Sequence, residues 1–399
     1  MTAAESDEAR PPHLTLVALF LRFLRFGMFA FGGPVAQIAM IRYELVERER
    51  WLDSGRFNRL LAVMQVLPGP EAHELCVHLG IMARGRTGGL LAGLGFMLPG
   101  LILMLLAAWA YAGLADQSAL LAAAFLGVQA TVLAVIVRAV HRIGGHILAS
   151  PFLWIIAGAS AAATIGEVSF WIVLPAAGLS LAAVKSRRWW LVGLTLVAAV
   201  GLGLATRSGL SEVSPSGAVA AGATTLALFI AGLKGGLLTF GGAYTAIPFV
   251  RADTVGPGWA TDAQFLDGVG LANVLPAPLV IFATFVGWMS GGLTGALAIT
   301  AGMFLPAFAF SMIFFERLER VVENERLQTF LTGVAAAVVG VIAVTAFQLG
   351  SAAVASTQTL WVTGALFAGA LAVVYAWNSR YAAPLVLLSG AVTGILLFR

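Results

Sequence analysis

The chain has 399 residues, of which 60% are hydrophobic and only 11% charged, and its formal net charge is +4. A soluble domain carries roughly 25% charged residues, so this composition excludes an ordinary water-soluble fold. The basic residues are scattered among short connections, and no nucleic-acid partner is expected. Apolar runs of about 20 residues, enough for a helix to cross the lipid bilayer, recur along the whole sequence and predict an all-α polytopic membrane protein.

Hydropathy and helix breakers predict about thirteen transmembrane helices after a polar N-terminal tail, residues 1–16, that lacks the features of a signal peptide. The first seven are predicted at 17–40, 58–83, 88–111, 120–140, 150–165, 168–184 and 189–205. The other six are predicted at 218–250, 264–287, 291–315, 328–348, 358–376 and 381–397. The polar stretch 206–217 is the predicted linker between two domains, 17–205 and 218–399.

The two domains contain an internal repeat. The matched motifs are Phe-Gly-Gly (FGG) at 31–33 and 240–242, Pro-x-Pro (PxP) at 68–70 and 276–278, and Leu-Pro at 98–99 and 305–306. The offset between the copies drifts only from 209 to 206, which chance does not explain. Seven predicted helices separate the two starts, and this odd number predicts that the second copy is inverted in the membrane.

The distribution of Lys and Arg tests this topology. With the N-terminus inside, the inner segments hold fifteen basic residues and the outer segments seven. This bias predicts a multi-pass protein of the cytoplasmic (inner) membrane with a cytoplasmic N-terminus and an external C-terminus. The five arginines between residues 41 and 59 contradict the prediction locally.

Each FGG lies within an apolar run and is followed by a proline, Pro34 in the first copy and Pro248 in the second. Paired glycines and a proline break a helix, and the freed N–H groups together with the positive end of the next half-helix favour an anion. Alternatively, the glycines only allow close helix packing. The candidate anion-binding glycines are Gly32, Gly33, Gly241 and Gly242.

The two PxP motifs predict a second pair of unwound segments that line a cavity, because two prolines around a small residue do not fit a regular helix. The predicted break residues are Pro68, Gly69, Pro70, Pro276 and Pro278. Gln65 and Asn273 are matched carboxamides three residues before the first proline of each motif. They either donate to a bound anion or cap carbonyl groups that the break leaves free.

Two cations are also matched between the copies. Arg25 and Lys234 each lie six residues before the phenylalanine of an FGG motif. Charges at membrane depth are rare and usually functional, so both are candidate substrate-binding residues. Alternatively, they extend to the membrane interface.

Three titratable residues just after the first PxP have no such match. Glu71, His73 and Glu74 correspond to the apolar residues Leu279, Ile281 and Phe282. A carboxyl at membrane depth can carry a proton, so these residues are candidates for proton coupling. Alternatively, the acids pair with nearby arginines or favour the start of a half-helix.

No nucleotide-binding, metal-binding or hydrolase motif is present, and the single cysteine, Cys76, has no partner. The sequence therefore predicts no cofactor, no metal and no catalytic residue. An integral-membrane enzyme is a remote alternative, because the one dense polar loop, 41–59, lacks a nucleophile arrangement.

The repeated motifs resemble those of the chromate ion transporter family, in its long two-domain form. The resemblance covers nearly the whole chain and rests on FAFGGP at 29–34, QVLPGPEA at 65–72, FMLPG at 96–100, TFGGAY at 239–244 and PAP at 276–278. It implies antiparallel halves and export of chromate from the bacterial cytoplasm by the proton motive force. Tyr244, in the fourth motif, joins the substrate-binding candidates, and Ala277 departs from the pattern because the first copy has glycine there.

The sequence thus predicts a secondary transporter whose partners are chromate, or a sulfate-like oxyanion, and protons. Chromate and sulfate are similar tetrahedral dianions, so import of sulfate or another oxyanion by the same scaffold is the alternative function. A homodimer is compatible with the sequence, which does not determine the oligomeric state.

Overall fold

The computed structural model describes residues 11–64, 67–114, 118–210, 222–313, 324–357, 359–377 and 379–398. Within these ranges the chain forms helices and no strand. Of the described helices, four are long and apolar enough to cross a membrane, and six shorter ones are also apolar. The fold is therefore that of an all-helical polytopic membrane protein, while the number thirteen stays a prediction. Gln65, residues 1–10 and the linker from residue 211 lie outside the described residues.

The helices follow the chain in two comparable series. The first is α1 (Leu16–Met28), α2 (Gly33–Arg42, continued by a π-helix Tyr43–Arg48), α3 (Ser54–Met64), α4 (Glu71–Leu114), α5 (Ala119–Ile147), α6 (Pro151–Ile165), α7 (Phe170–Lys185) and α8 (Trp189–Leu210). The second is α9 (Thr225–Leu237), a 3₁₀ turn (Ala243–Ala246), α10 (Ile247–Thr254), α11 (Asp262–Val274), a 3₁₀ turn (Leu279–Ile281), α12 (Phe282–Ile313), α13 (Glu325–Thr357), α14 (Leu360–Ala376) and α15 (Ala382–Leu397). We call residues 11–210 and 222–398 the first and second half.

Helices α4 and α12 both fold back on themselves at matched positions. Non-helical backbone interrupts α4 at residues 84–85 and α12 at residues 291–292. In each bend a glycine has a positive φ, 64° at Gly85 and 62° at Gly292, which a residue with a Cβ adopts only with strain. We therefore treat the two parts separately, as α4a (71–83) and α4b (86–114), and as α12a (282–290) and α12b (293–313).

The FGG segments reverse the chain in a similar way. Arg22 of α1 pairs with Glu49 beyond α2, and the ring centroids of Phe23 and Trp51 are 6.4 Å apart, so the chain returns towards the middle of α1. In the second half Lys234 of α9 and Asp253 of α10 lie 3.2 Å apart. Helices α1 and α9 have only 13 residues each, about 20 Å of rise, which is shorter than a hydrocarbon core of about 30 Å.

Close glycine contacts fix α1 on α4b and α9 on α12b. A Cβ at any of these glycines would overlap the backbone of the facing helix, which explains the small residue. The contacts pair Gly27 with Phe96, Gly95 with Phe20, Gly232 with Ile299 and Gly302 with Phe229. Towards the N-terminal ends of the same helices, Leu19 lies near Gly88 and Leu228 near Gly291, so α1 runs parallel to α4b and α9 parallel to α12b.

Contacts between the halves give the direction of α12b relative to α4. Ala307 packs on Gly69, and Ser311, one turn later, donates to the backbone oxygen of Glu74 at 3.5 Å. The part α12b therefore runs alongside α4a in the same direction. Because α4a and α4b are the two arms of one hairpin, with Gly80 packed on Ala92, α12b runs antiparallel to α4b.

Several of the remaining helices pack against helices of the other half. Helix α5 of the first half packs against α14 and α15 of the second, whereas α13 packs against α6 and α7 of the first. At one crossing Gly127 meets the backbone of Gly390, and at the other Gly340 meets that of Ala157. Helices α5 and α13 also contact each other, and two of the buried hydrophobic clusters each contain residues of both halves.

Candidate functional site

The repeated motifs of the two halves meet at the centre of the molecule. The N–H of Gly69 donates to the carbonyl oxygen of Thr239 at 2.9 Å, which joins the first PxP to the second FGG segment. In the reverse pairing, Nε2 of Gln37 donates to the carbonyl oxygens of Ala277 and Ala30, each at 2.9 Å. Gly100, beside Pro99, packs on Ala277 as well. Each unwound segment is thus held by the opposite half.

The glycines of both FGG motifs all have positive φ: 86° and 75° at Gly32 and Gly33, and 70° and 136° at Gly241 and Gly242. Close packing does not explain the second pair. A Cβ on Gly241 would lie 3.2 Å from Ile147, and one on Gly242 would lie 3.6 Å from the nearest atom. Gly33 has no neighbour within 4 Å, although Gly32 is packed against Arg380.

The backbone N–H groups at these four glycines have no hydrogen-bond partner in the described part of the chain. By contrast, hydrogen-bonding groups beside Gly241 and Gly242 do have partners. The N–H of Phe240 donates to Thr245 Oγ1 at 3.1 Å, and that hydroxyl donates to the carbonyl oxygen of Gly242 at 2.7 Å. Free N–H groups in a rigid loop are suited to an anion. Pro34 follows the first glycine pair inside α2, and Pro248 lies in the first turn of α10.

The second half contributes neutral polar groups beside its FGG motif. The Tyr244 hydroxyl donates to Oδ1 of Asn273 at 2.6 Å. Asn273 in turn donates through Nδ2 to the carbonyl of Val269 in its own helix at 2.9 Å. The structure thus brings together two of the residues predicted to bind substrate, and one amide hydrogen of Asn273 is used within its own helix.

The first half contributes acids at the start of α4a. Glu74 is fully buried with its carboxyl packed on Gly69, and neither carboxyl oxygen has a hydrogen-bond partner in the described chain. His73 is also fully buried, with its ring 4.9 Å from Phe304 and 4.7 Å from Phe308 of α12b. Glu71 is 9% exposed and is the member of this group nearest to solvent.

Two arginines, Arg138 and Arg142, lie on the part of α5 that reaches the second FGG motif. On this helix Ile143 lies nearest to Gly242 and Ile147 nearest to Gly241. Arg138 is half-buried and Arg142 is exposed. Sequence reasoning missed this pair because the predicted span ended at residue 140 and placed both in or near a loop. The missed signal is their i, i+4 spacing in an uninterrupted helical run to Ile147.

The predicted cations Arg25 and Lys234 do not come together. Arg25 is exposed on α1, whereas the Lys234 ammonium is paired with Asp253 and lies 6.0 Å from the centre of the Trp171 ring. The position of Gln65 lies outside the described residues. Helix α5 instead brings Arg138 and Arg142 to the neighbourhood of the second FGG motif. The hydrogen bond from Gly69 to Thr239 connects that motif to the acids of α4a.

Comparison with known proteins agrees with this duplicated architecture. A sequence model of the chromate transporter family matches residues 17–184 and again residues 226–395. The chain is 56% identical to the chromate transport protein of Pseudomonas aeruginosa, over 98% of this chain and 95% of that protein. It is 30% identical to the chromate transport protein of Cupriavidus metallidurans, over 86% and 84% of the two chains. It is 29% identical to the probable chromate transport protein of Synechococcus elongatus, over 96% of each. No solved structure matches the chain significantly.

Proposed function

This chain belongs to the chromate transporter family, and we propose that it is a secondary transporter that exports chromate from the cytoplasm across the inner membrane, driven by the proton motive force. The observation that carries the proposal is a pair of cations, Arg138 and Arg142, on the part of α5 whose Ile143 and Ile147 lie beside Gly242 and Gly241. Relatives whose names describe chromate transport support the choice of substrate.

The proposed site suits a tetrahedral dianion. Guanidinium groups bind oxyanions with paired, charge-assisted hydrogen bonds, so Arg138 and Arg142 would offset the two negative charges. The free N–H groups of Gly241 and Gly242 would bind the oxygens on the opposite side. The Tyr244 hydroxyl, oriented by Asn273 at 2.6 Å, would complete the contacts.

We propose that the two halves are inverted repeats and that the FGG and PxP segments are tips of re-entrant hairpins. The antiparallel directions of α4b and α12b support inversion. The short α1 and α9, and the return of the chain after each FGG, support hairpins that enter halfway. The tips then meet near the middle of the bilayer, where unwound backbone is tolerated because protein surrounds it.

Re-entrant hairpins also account for the arginines between residues 41 and 59. If α1 and α2 form a hairpin, this loop lies on the same face as the N-terminus and as Arg84 and Arg86. All five arginines then agree with a cytoplasmic N-terminus. The exposed Arg142 lies near the end of α5 that returns to this face, so chromate would reach the site from the cytoplasm.

Thiol accessibility tests this topology. In a Cys76→Ser background, we expect Pro257→Cys to react with a membrane-impermeant thiol reagent in intact spheroplasts. Arg56→Cys should react only after permeabilisation; both positions are exposed. Labelling of both positions from the same side would contradict the inverted hairpins. Labelling of Arg56→Cys from outside would indicate that residues 17–40 cross the membrane as one continuous span.

Coupling is proposed to use the acids of α4a. An inside-negative potential favours the exit of a dianion by about 2.3 kcal/mol per charge per 100 mV. We propose that the empty carrier returns with the charge of Arg142 neutralised by Glu71, the least buried acid of α4a. We propose that Glu71 exchanges a proton during this cycle, with Glu74 and His73 buried behind it.

Chromate flux in proteoliposomes tests the proposed function. We expect saturable chromate transport that responds to an imposed proton gradient and potential. We expect Glu71→Gln to lose the response to the gradient but to retain chromate–chromate exchange. Sulfate added in excess measures selectivity: complete replacement of chromate flux by sulfate flux would favour the sulfate transporter. Absence of any oxyanion flux in folded protein would refute the proposal.

A further inference from the structure

A second buried acid lies in the other half of the molecule, away from the acids of α4a. Asp267 of α11 is 1% exposed. The Tyr111 hydroxyl donates to its Oδ2 at 2.8 Å, and Nε2 of Gln129 donates to its Oδ1 at 2.9 Å. Both donors are neutral. The matched position in the first half is Arg59, which is exposed, so this acid is a feature of the second half alone.

The hydrogen bonds of Asp267 connect the two halves. Tyr111 belongs to α4b and Gln129 to α5 of the first half, whereas Asp267 belongs to α11 of the second. Ser356 of α13 extends the chain of bonds by donating to Oε1 of Gln129 at 3.1 Å. Four helices therefore converge on one carboxyl group.

No cation compensates this carboxyl among the described residues. The elements packed against α11 are α4, α5, α12, α13, α15 and the 3₁₀ turn Leu279–Ile281, which has no titratable residue. Near Asp267 they present Tyr111, Gln129, Phe285 and Ser356, and α15 contains no titratable residue. The nearest cation along α5 is Arg138, nine residues from Gln129, or about 13 Å of helical rise.

The surroundings of Asp267 are apolar and tightly packed. The Tyr111 ring lies 4.9 Å from Phe125 and 5.0 Å from Phe285, and the adjacent Gly268 packs directly on Phe285. An ionised carboxylate in such surroundings, without a cation, is costly, and uptake of a proton removes that cost. Tyr111 tolerates both states, because a hydroxyl can donate to a carboxylate or accept from a carboxylic acid.

We propose that Asp267 is a proton-binding site between the two halves and that it carries a proton during the transport cycle. The inference rests on the proposed transport function and adds a site to it. Tyr111 lies eleven residues beyond Gly100 on α4b, about 16 Å of rise, so this site is separate from the acids at the hairpin tips. It lies towards the face opposite the N-terminus, from which an inward-moving proton would arrive.

Infrared difference spectroscopy across a pH titration tests the site directly. A carboxylic acid has a C=O stretching band that a carboxylate lacks. We expect a pH-dependent band in the wild type that is absent in Asp267→Asn and retained in Glu325→Gln, a control at the start of α13. We expect Tyr111→Phe to shift the band, because one hydrogen bond is lost while the carboxyl remains.

A transport measurement is the second test of this proposal. In proteoliposomes, Asp267→Asn should retain chromate–chromate exchange and lose part of the response to a proton gradient. An unchanged band and gradient response in folded Asp267→Asn would overturn the assignment. If this variant does not fold, an unshifted band in Tyr111→Phe has the same consequence. A titrating band in a wild type without chromate flux would instead retain the proton site and refute chromate transport.

Discussion

The two halves differ most where they meet. The first half carries charged residues just after its PxP motif and on α5. The second half carries neutral residues at the matched positions, just after its own PxP motif and on α13. The pairs are Glu71 and Leu279, His73 and Ile281, Glu74 and Phe282, Arg138 and Val344, and Arg142 and Gln348. At these positions the charged residues lie in the first half, whereas the buried acid of the second half, Asp267, lies elsewhere, on α11. A dianion bound at the centre would contact arginines from one half and backbone N–H groups from the other.

The PxP motifs illustrate the difference at a single residue. Gly69 has a φ of 149°, and the Glu74 carboxyl lies where a Cβ would be. Ala277 has no positive φ, and its Cβ fills the space above Gly100. Glycine in the first motif thus makes room for a buried acid, and alanine in the second fills a space that has no acid to accommodate. This explains the departure of the second motif from the first.

The largest effect is expected when Arg142 of the first half is replaced by glutamine, the residue at the matched position 348 of the second half. Arg142→Gln should lower chromate transport about 10- to 100-fold, because a hydrogen bond to a charged group contributes about 1.5–3 kcal/mol. Flux in proteoliposomes with matched protein content measures it.

The matched control for the arginine pair is Val344→Ala, at the position in α13 that corresponds to Arg138. This change removes no charge, and we expect chromate affinity within about threefold of the wild type, because truncation of the buried Val344 side chain lowers packing and stability and leaves the charge of the site unchanged. Equal losses of chromate transport in Arg142→Gln and Val344→Ala would show that the difference in charge between the halves does not explain chromate binding.

An intermediate effect is expected from exchanging the PxP residues. Gly69→Ala should destabilise the protein by about 1–3 kcal/mol, because its backbone conformation is strained for alanine and the new Cβ meets Glu74. Ala277→Gly should cost less, about 0.5–1 kcal/mol, through backbone freedom and one lost methyl contact. Thermal unfolding in detergent compares the two.

Removing the acid separates the two causes of strain at Gly69. In the double variant Gly69→Ala/Glu74→Ala the steric conflict is gone and only the φ penalty remains, so part of the lost stability should return. If the single and double variants melt at the same temperature, Glu74 is not the reason for glycine at this position.

The repeat and its motifs were predictable from sequence because identical letters recur at a constant offset, and glycine and proline act locally on the backbone. The return of the chain after each FGG was not predictable from hydropathy. An apolar run such as 17–40 has the same composition whether it crosses the membrane or turns back within it. The ion pair of Arg22 with Glu49 supplies that information, and it depends on tertiary structure.

The site was predictable only in part. Tyr244 and Asn273 were both predicted to bind substrate, and they are hydrogen-bonded to each other. Arg142 was missed because its helix continues beyond the hydrophobic stretch that predicted it. Asp267 was missed because the sequence of its span does not show which residues bind its carboxyl group. Tyr111, one of its hydrogen-bond donors, is 156 residues away in the chain.

The smallest effect is expected at Lys234, a candidate substrate-binding residue by sequence that forms an ion pair with Asp253 in the structure. Lys234 and Asp253 are 30% and 20% exposed and join the arms of the second FGG hairpin, as Arg22 and Glu49 join those of the first. A pair of this exposure contributes about 1 kcal/mol. Lys234→Ala should therefore lower stability modestly, and the exchanged pair Lys234→Asp/Asp253→Lys should recover both stability and flux. A substrate-binding lysine would behave differently, because moving its charge to α10 would leave chromate affinity low even in a stable protein. Arg25→Ala, at the exposed matched position, should leave both quantities near wild type; a loss of affinity in that variant would return the two matched cations to the site and weaken the contrast between the halves.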